Sequence, residues 1–241
     1  YTHVIRSVYD DPNEVLGNIP SNVQLLKRTQ YLVDAYDAFA KLFYAHKAGY
    51  KVPRRELRKA LVRAMYATNV LESVKFYTSF ACTFGFAEMK YFEGIAKQLQ
   101  FIARDENMHT AITQNVIKNW IAGVDGPEWQ EIALELQPEF RQMFIDQTEI
   151  EKANAIYLFR NGTPLLGMNG KILGQYCEFM ANKRMVNVGL EPAFPTEKDP
   201  LPWIQRNWLG DKQVAPQETE KTDYRTGNIN KNAETASLVL D

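Results

Sequence analysis

Apolar residues recur at three- and four-residue steps along most of this chain, and no stretch alternates convincingly at the two-residue step of a half-buried strand. The opening "THVIRSVY" reads as the middle of an amphipathic helix, and "DDPNEVLGNIP" is rich in turn formers. From about Ser21 to His46 the positions Val23, Leu26, Tyr31, Leu32, Ala35, Phe39, Leu42 and Phe43 predict a helix with an apolar stripe. Ser21, with Gln24 three residues on, has the spacing of a capping box and is the predicted N-cap. "HKAGYKVP" ends that helix. The next run, "RRELRKALVRAMYATNVLESVKFYTSFACTFGFAEMKYF", starts charged and is almost wholly apolar from Tyr66 to Ala87, so it is predicted to be buried on every side. Gly94 marks the break before "EGIAKQLQFIARDENMHTAITQNVIKNWIAG", and Gly123 follows its end. "GPEWQEIALELQPEFRQMFIDQTEIEKANAIYLF" predicts one helix interrupted at Pro138, or two. "RNGTPLLGMNG" reads as a loop, "KILGQYCEFMANKRMVNVGL" as a helix, and the Pro-rich stretch carrying Trp203 and Trp208 as irregular chain packed on the body. There is no internal repeat. The expected fold class is all-α, a bundle of long helices.

Residues 1–210 are therefore read as the helical domain and 211–241 as a flexible tail, since that tail is polar and has no hydrophobic period. Its last residues, Leu238 to Asp241, become apolar again; they are either a frayed end or a short peptide that docks in a partner groove. The chain has 241 residues, 45% of them hydrophobic, and a net charge of −1. That is enough apolar material for a sizeable core, and no strong field favours nucleic acid or an anionic membrane surface. Two cysteines inside apolar helical patterns, Cys82 and Cys177, point to a reducing compartment, the cytoplasm, and away from a disulfide framework. No stretch is long and apolar enough to cross a membrane, and no signal peptide opens the chain.

The candidate chemistry lies in the two central helical runs. Glu72 falls inside an apolar helix, followed by Phe76, Phe80 and Phe84 at four-residue steps on its own face. A lone buried carboxylate costs several kcal/mol unless compensated. It either pairs with a neighbour such as Lys75, which can reach outward, or binds a metal. On one straight helix Glu72 and Glu106 stand about 50 Å apart. Two antiparallel helices turning near residue 89 bring both to one level, with Ile102, Glu106, His109 and Thr113 on one stripe pointing to the same interior. Glu106 and His109 form a Glu-x-x-His pair; by spacing alone such a pair is usually a pair of surface neighbours. In dinuclear helical bundles two helices each give one carboxylate and two others each give Glu-x-x-His. This chain supplies half of that set, because neither His3 nor His46 follows a Glu at the required spacing.

The half-set and its surroundings resemble the small (beta, or R2) subunit of class I ribonucleotide reductase, a ferritin-like helical bundle. The matching stretches are "YTHVIR", "NVLESVKFYTSFACTF", "FIARDENMH", "YLFRNG", "RMVNVGL", "PWI" and "VAPQETEKTDY", which run from the first residue into the tail. The resemblance implies that Glu72, Glu106 and His109 bind one half of a dinuclear centre of iron, with manganese or a mixed pair as alternatives. It implies that Phe76, Phe80 and Ile102 line the apolar pocket around a radical, and that Asp105 orients a metal-bound histidine on the radical-transfer path. Tyr224, with Glu218 nearby, matches the tail residues that pass the radical to the large (alpha) subunit, and the final residues match the segment that binds it. Tyr1 matches the tyrosine that stores the radical; on its sequence position alone it is merely a terminus. The ligands that precede this tyrosine in the family are not in the chain. A free ammonium on Tyr1 would be unfavourable beside metal cations and in an apolar pocket. An N-terminal half is therefore expected, as a separate chain or a part broken off; without it the bundle is incomplete and exposes an apolar face. The family forms homodimers. A ferritin-like di-metal oxidase and a non-catalytic helical assembly half are the alternatives. The first is disfavoured by the "QETEKTDY" tail, the second by retention of all three candidate ligands.

Overall fold

The computed structural model describes residues 6, 9–162, 165 and 167–209. Their order is α1 (Asn13–Leu16), α2 (Val23–Lys47), α3 (Arg54–Val70), a π-helical turn (Leu71–Lys75), α4 (Tyr77–Glu88), α5 (Glu93–Ile121), α6 (Pro127–Glu135), α7 (Gln137–Leu158), α8 (Gly170–Asn187), α9 (Pro202–Ile204) and a second π-helical turn (Gln205–Leu209). The only pairing of extended backbone among the described residues is an isolated bridge between Leu165 and Met168, so the all-α class holds.

The helix boundaries follow local chemistry, with two corrections. Asn22, not Ser21, caps α2: its side-chain oxygen accepts from the backbone N–H groups of Gln24 and Leu25, both at 3.1 Å. Ser21 Oγ donates back to Asn18 O instead. The turn between α4 and α5 is made not at Gly94 but by Lys90 (φ 66°) and Phe92 (φ 55°), two left-handed residues without a glycine's freedom. Phe92 packs edge-on against Phe86, with ring centroids 5.9 Å apart. Pro138 stands at the start of α7, where its missing N–H costs least, so the predicted long run is two helices meeting at Leu136. Gly170 opens α8 because a Cβ there would lie 2.9 Å from the backbone of Ile156; that close approach lets α8 pack along α7.

Two hydrophobic clusters lie either side of the π turn that follows α3. One gathers Val62, Tyr66, Val70 and Val74 against Ile117, Ile132, Phe140, Phe144 and Met185. The other gathers Tyr77, Phe80 and Phe84 against Ala103, Leu173, Tyr176 and Ile204. The run from Tyr66 to Ala87 is buried along most of its length but not on every side, since Ser79 and Phe86 are exposed. Trp208 stacks on Phe84 at 4.8 Å and donates its ring N–H to Glu88, which ties the Pro-rich segment to the body.

The stripe on α2 behaves differently. None of its residues is buried, and Val23, Leu26 and Phe43 are exposed. Tyr31 is turned toward α3 and, like Leu32, Ala35, Phe39 and Leu42, is half-buried.

Tyr66 and Phe140 stack at 3.9 Å with both rings out of solvent, and Tyr66 donates to the carbonyl of Ala133. Removing the Phe140 ring leaves a cavity between α3, α6 and α7. Phe140→Ala should lower stability by about 3–5 kcal/mol, read from the shift in the urea unfolding midpoint at unchanged slope.

Candidate metal centre

The turn at Met89–Phe92 folds α5 back along α3 and α4 and brings Glu72 level with Glu106 and His109, as the antiparallel reading requires. One donor atom from each of the three lies within 4.8 Å of the other two. His109 Nδ1 is 2.9 Å from Glu106 Oε2 and 3.6 Å from Glu72 Oε2. The side chains of Glu72 and Glu106 are only 15% and 13% exposed, whereas His109 is 52% exposed. That last figure corrects the prediction that all three point into the interior. Met108 and Ile112 beside His109 are also exposed, since no described element covers that side of α5.

Glu72 does not sit in a regular α-helix. It lies in the π-helical turn, which inserts an extra residue and changes the direction of the side chains on either side of it. Its supposed partner Lys75 does not reach outward. Lys75 is 2% exposed, with its ammonium 3.3 Å from Glu151, so the simplest compensation for Glu72 is taken elsewhere. Glu72 Oε2 is buried with no hydrogen-bond partner. Burial pushes the Glu72 carboxyl up to about 7, the adjacent Glu106 adds to the shift, and His109 opposes it. His109 is in turn raised, first by its hydrogen bond to Glu106. Two carboxylates and an imidazole with a buried, unpaired oxygen between them fit a cation with oxygen and nitrogen ligands, such as iron or manganese.

The remaining predicted residues divide in two groups. Phe76 and Phe80 stack at 6.1 Å, and both join Ile102 in the second cluster; Phe80 is buried and the other two half-buried. Asp105 is exposed on α5, and Nδ1 of His109 lies against the two glutamates. Tyr1, Glu218 and Tyr224 lie outside the described residues.

Two buried polar groupings escaped sequence reasoning. Glu151, fully buried on α7, takes Arg28 Nε at 2.7 Å and Nη2 at 3.0 Å as well as Lys75. Tyr77, in turn, donates to Asn107 at 2.6 Å and accepts from Arg184 at 2.8 Å, beside the metal-ligand helix. The available signal was a lysine set in an apolar run, which demands a buried partner; the partner's position depends on which helix packs there.

Fold and site together define an all-helical bundle of the ferritin-like kind with a carboxylate–histidine cluster between its helices that could hold a metal ion. The ribonucleotide reductase small chain model matches residues 1–200, and the chain belongs to that family. It is 40% identical over 247 residues to the ribonucleoside-diphosphate reductase subunit beta of Haemophilus influenzae, covering 98% of this chain and 65% of that protein. Similarity to the ribonucleoside-diphosphate reductase 1 subunit beta of Escherichia coli O157:H7 is also 40%, over 99% of this chain and 66% of the relative. The chain thus spans about two thirds, slightly less, of the length of these curated relatives. Among solved structures, the ribonucleotide reductase R2 subunit from Clostridium botulinum superposes with a TM-score of 0.66 at 25% identity, over 85% of this chain and 59% of that one.

The raised Glu72 carboxyl has a consequence for the metal-free protein. Between the unfolded value near 4.5 and the folded value near 7 the native state holds a proton that the unfolded chain has lost. Stability therefore falls as pH rises through that window. Glu72→Gln should flatten this part of the stability–pH curve, measured by thermal unfolding from pH 4.5 to 8 in the presence of chelator; an unchanged slope would contradict the assignment.

Proposed function

We propose that this chain is part of the small subunit of a class I ribonucleotide reductase and holds one half of a dinuclear metal centre. The observation that carries the proposal is the buried, unpaired Glu72 oxygen facing Glu106 and His109 across two helices. The names of the 40%-identical relatives support the reductase assignment over a simple di-metal oxidase. The chemistry that a dinuclear iron centre supplies, when bound, is one-electron oxidation of a nearby tyrosine.

Within the chain, Glu72, Glu106 and His109 hold the metal. Glu72 must give up the proton it carries near pH 7, so metal uptake competes with protonation. Phe76, Phe80 and Ile102 keep water from the neighbourhood of the radical. Tyr1 stores the radical. Asp105, Glu218 and Tyr224 carry proton and electron toward a large subunit, which reduces ribonucleotides to deoxyribonucleotides and engages the end of the tail. This chain does not bind the nucleotide.

Three donors do not complete a dinuclear site. The remaining ligands come from an N-terminal segment of the small subunit outside these 241 residues. It covers the exposed side of His109, Met108 and Ile112, and the assembly pairs as a homodimer.

The test combines the full chain with the N-terminal segment, ferrous iron and oxygen, and records metal content and the EPR spectrum. Two metals per complex and a tyrosyl signal are expected. His109→Ala should lower bound metal at least about tenfold and abolish the signal while the far-UV spectrum is kept. A correctly folded complex without bound metal would overturn the proposal.

A further inference from the structure

Glu72 owes its direction to the π turn in which it sits. Such turns are rare in helices and occur mostly as single turns. They persist where tertiary contacts hold them. At the far end of this one, Lys75 is gripped twice. Its ammonium lies 3.3 Å from Glu151 Oε1, and its backbone carbonyl accepts from Arg28 Nη2 at 3.1 Å. The same guanidinium forks onto both oxygens of Glu151. The Tyr31 ring, one turn along α2 from Arg28, stands 5.3 Å from the Lys75 ammonium. Glu151 and Lys75 are 0% and 2% exposed, so little water screens the cluster. Three elements remote in sequence, α2, the π turn and α7, meet on this one residue.

Arg28 and Glu151 make no contact with Glu106 or His109, and Lys75 shares only the turn with Glu72. If the cluster merely stapled α2 to α7, its placement on both the side chain and the carbonyl of a single π-turn residue would serve no purpose.

We propose that Arg28, Glu151 and Lys75 form a clamp that holds the π turn in register and so sets the position of the Glu72 carboxylate for metal binding. They are positioning residues, and the proposal rests on the metal-centre assignment above. Losing Glu151 leaves Lys75 buried without its counter-charge and frees the turn to relax toward a regular helix, which swings Glu72 away from Glu106 and His109.

The test uses cobalt(II) alone on the full chain, reading its dissociation constant and its visible d–d absorption, with the urea midpoint measured in parallel. Glu151→Gln and Lys75→Met should each weaken cobalt binding about tenfold and shift the d–d bands, as groups that orient ligands do. Lys75→Arg, which keeps charge and burial, should restore both signals. If the Glu151 and Lys75 variants fail to fold, Arg28→Lys carries the test, because it keeps the charge but loses the fork and the carbonyl contact; its cobalt bands should still shift. Folded variants with a lower urea midpoint but native cobalt affinity and bands overturn the clamp and leave the metal centre standing. Failure of the unmutated chain to bind cobalt even with the N-terminal segment supplied overturns both.

Discussion

A carboxylate placed inside a helical bundle has to be compensated, and this structure answers that demand in two different ways, at Glu151 on α7 and at Glu72 in the π turn. Moving an ionised carboxylate out of water costs several kcal/mol even after relaxation. Glu151 meets the cost with two cations, hydrogen-bonded to Arg28 and ion-paired with Lys75. Glu72 has no such partner. It shares its space with a second carboxylate and a half-exposed histidine, and its own ionisation is pushed up toward neutrality. Glu151 finds its counter-charges within the chain, whereas one oxygen of Glu72 has no hydrogen-bond partner.

The two solutions stand back to back across the π turn, which also divides the apolar interior. Val74 belongs to the cluster around Phe140, and Tyr77 to the cluster around Phe84. Glu72 thus sits at a seam between two packed regions, not within either. Such a position gives a rigid surround on both sides while leaving the ligand side of α5 open. Tyr77, buried and shared between Asn107 and Arg184, ties α4, α5 and α8 together next to that seam. Packing on both sides of the turn orders the Glu72 backbone in advance, which would reduce the ordering cost of any cation bound there.

His109, Met108 and Ile112 on α5, and Val23, Leu26 and Phe43 on α2, are exposed because no described helix lies over them. Apolar periodicity marked the α2 positions as a stripe to be covered. Among the described residues Val23, Leu26 and Phe43 of that stripe stay exposed, while Leu32, Ala35, Phe39 and Leu42 are half-buried. Charged pairs elsewhere, such as Arg63 with Glu139 and Arg55 with Glu131 and Glu135, line α3 against α6 and α7 at the surface, where screening makes each worth little.

The helices, the turn near residue 89, the deep burial of the Tyr66–Ala87 run and the meeting of Glu72 with Glu106 and His109 were legible in the sequence. Each depends on local periodicity and on the length of chain between two points, which any antiparallel helix pair must respect. The cap at Asn22, the left-handed Lys90 and Phe92 and the π turn were not legible, since several neighbouring residues could serve locally and packing chose among them. The inward turn of Lys75 and its union with Glu151 and Arg28 belong wholly to the tertiary structure. A charged side chain in an apolar run states that a partner must exist, but only the placement of α2 and α7 on that run decides which residue it is.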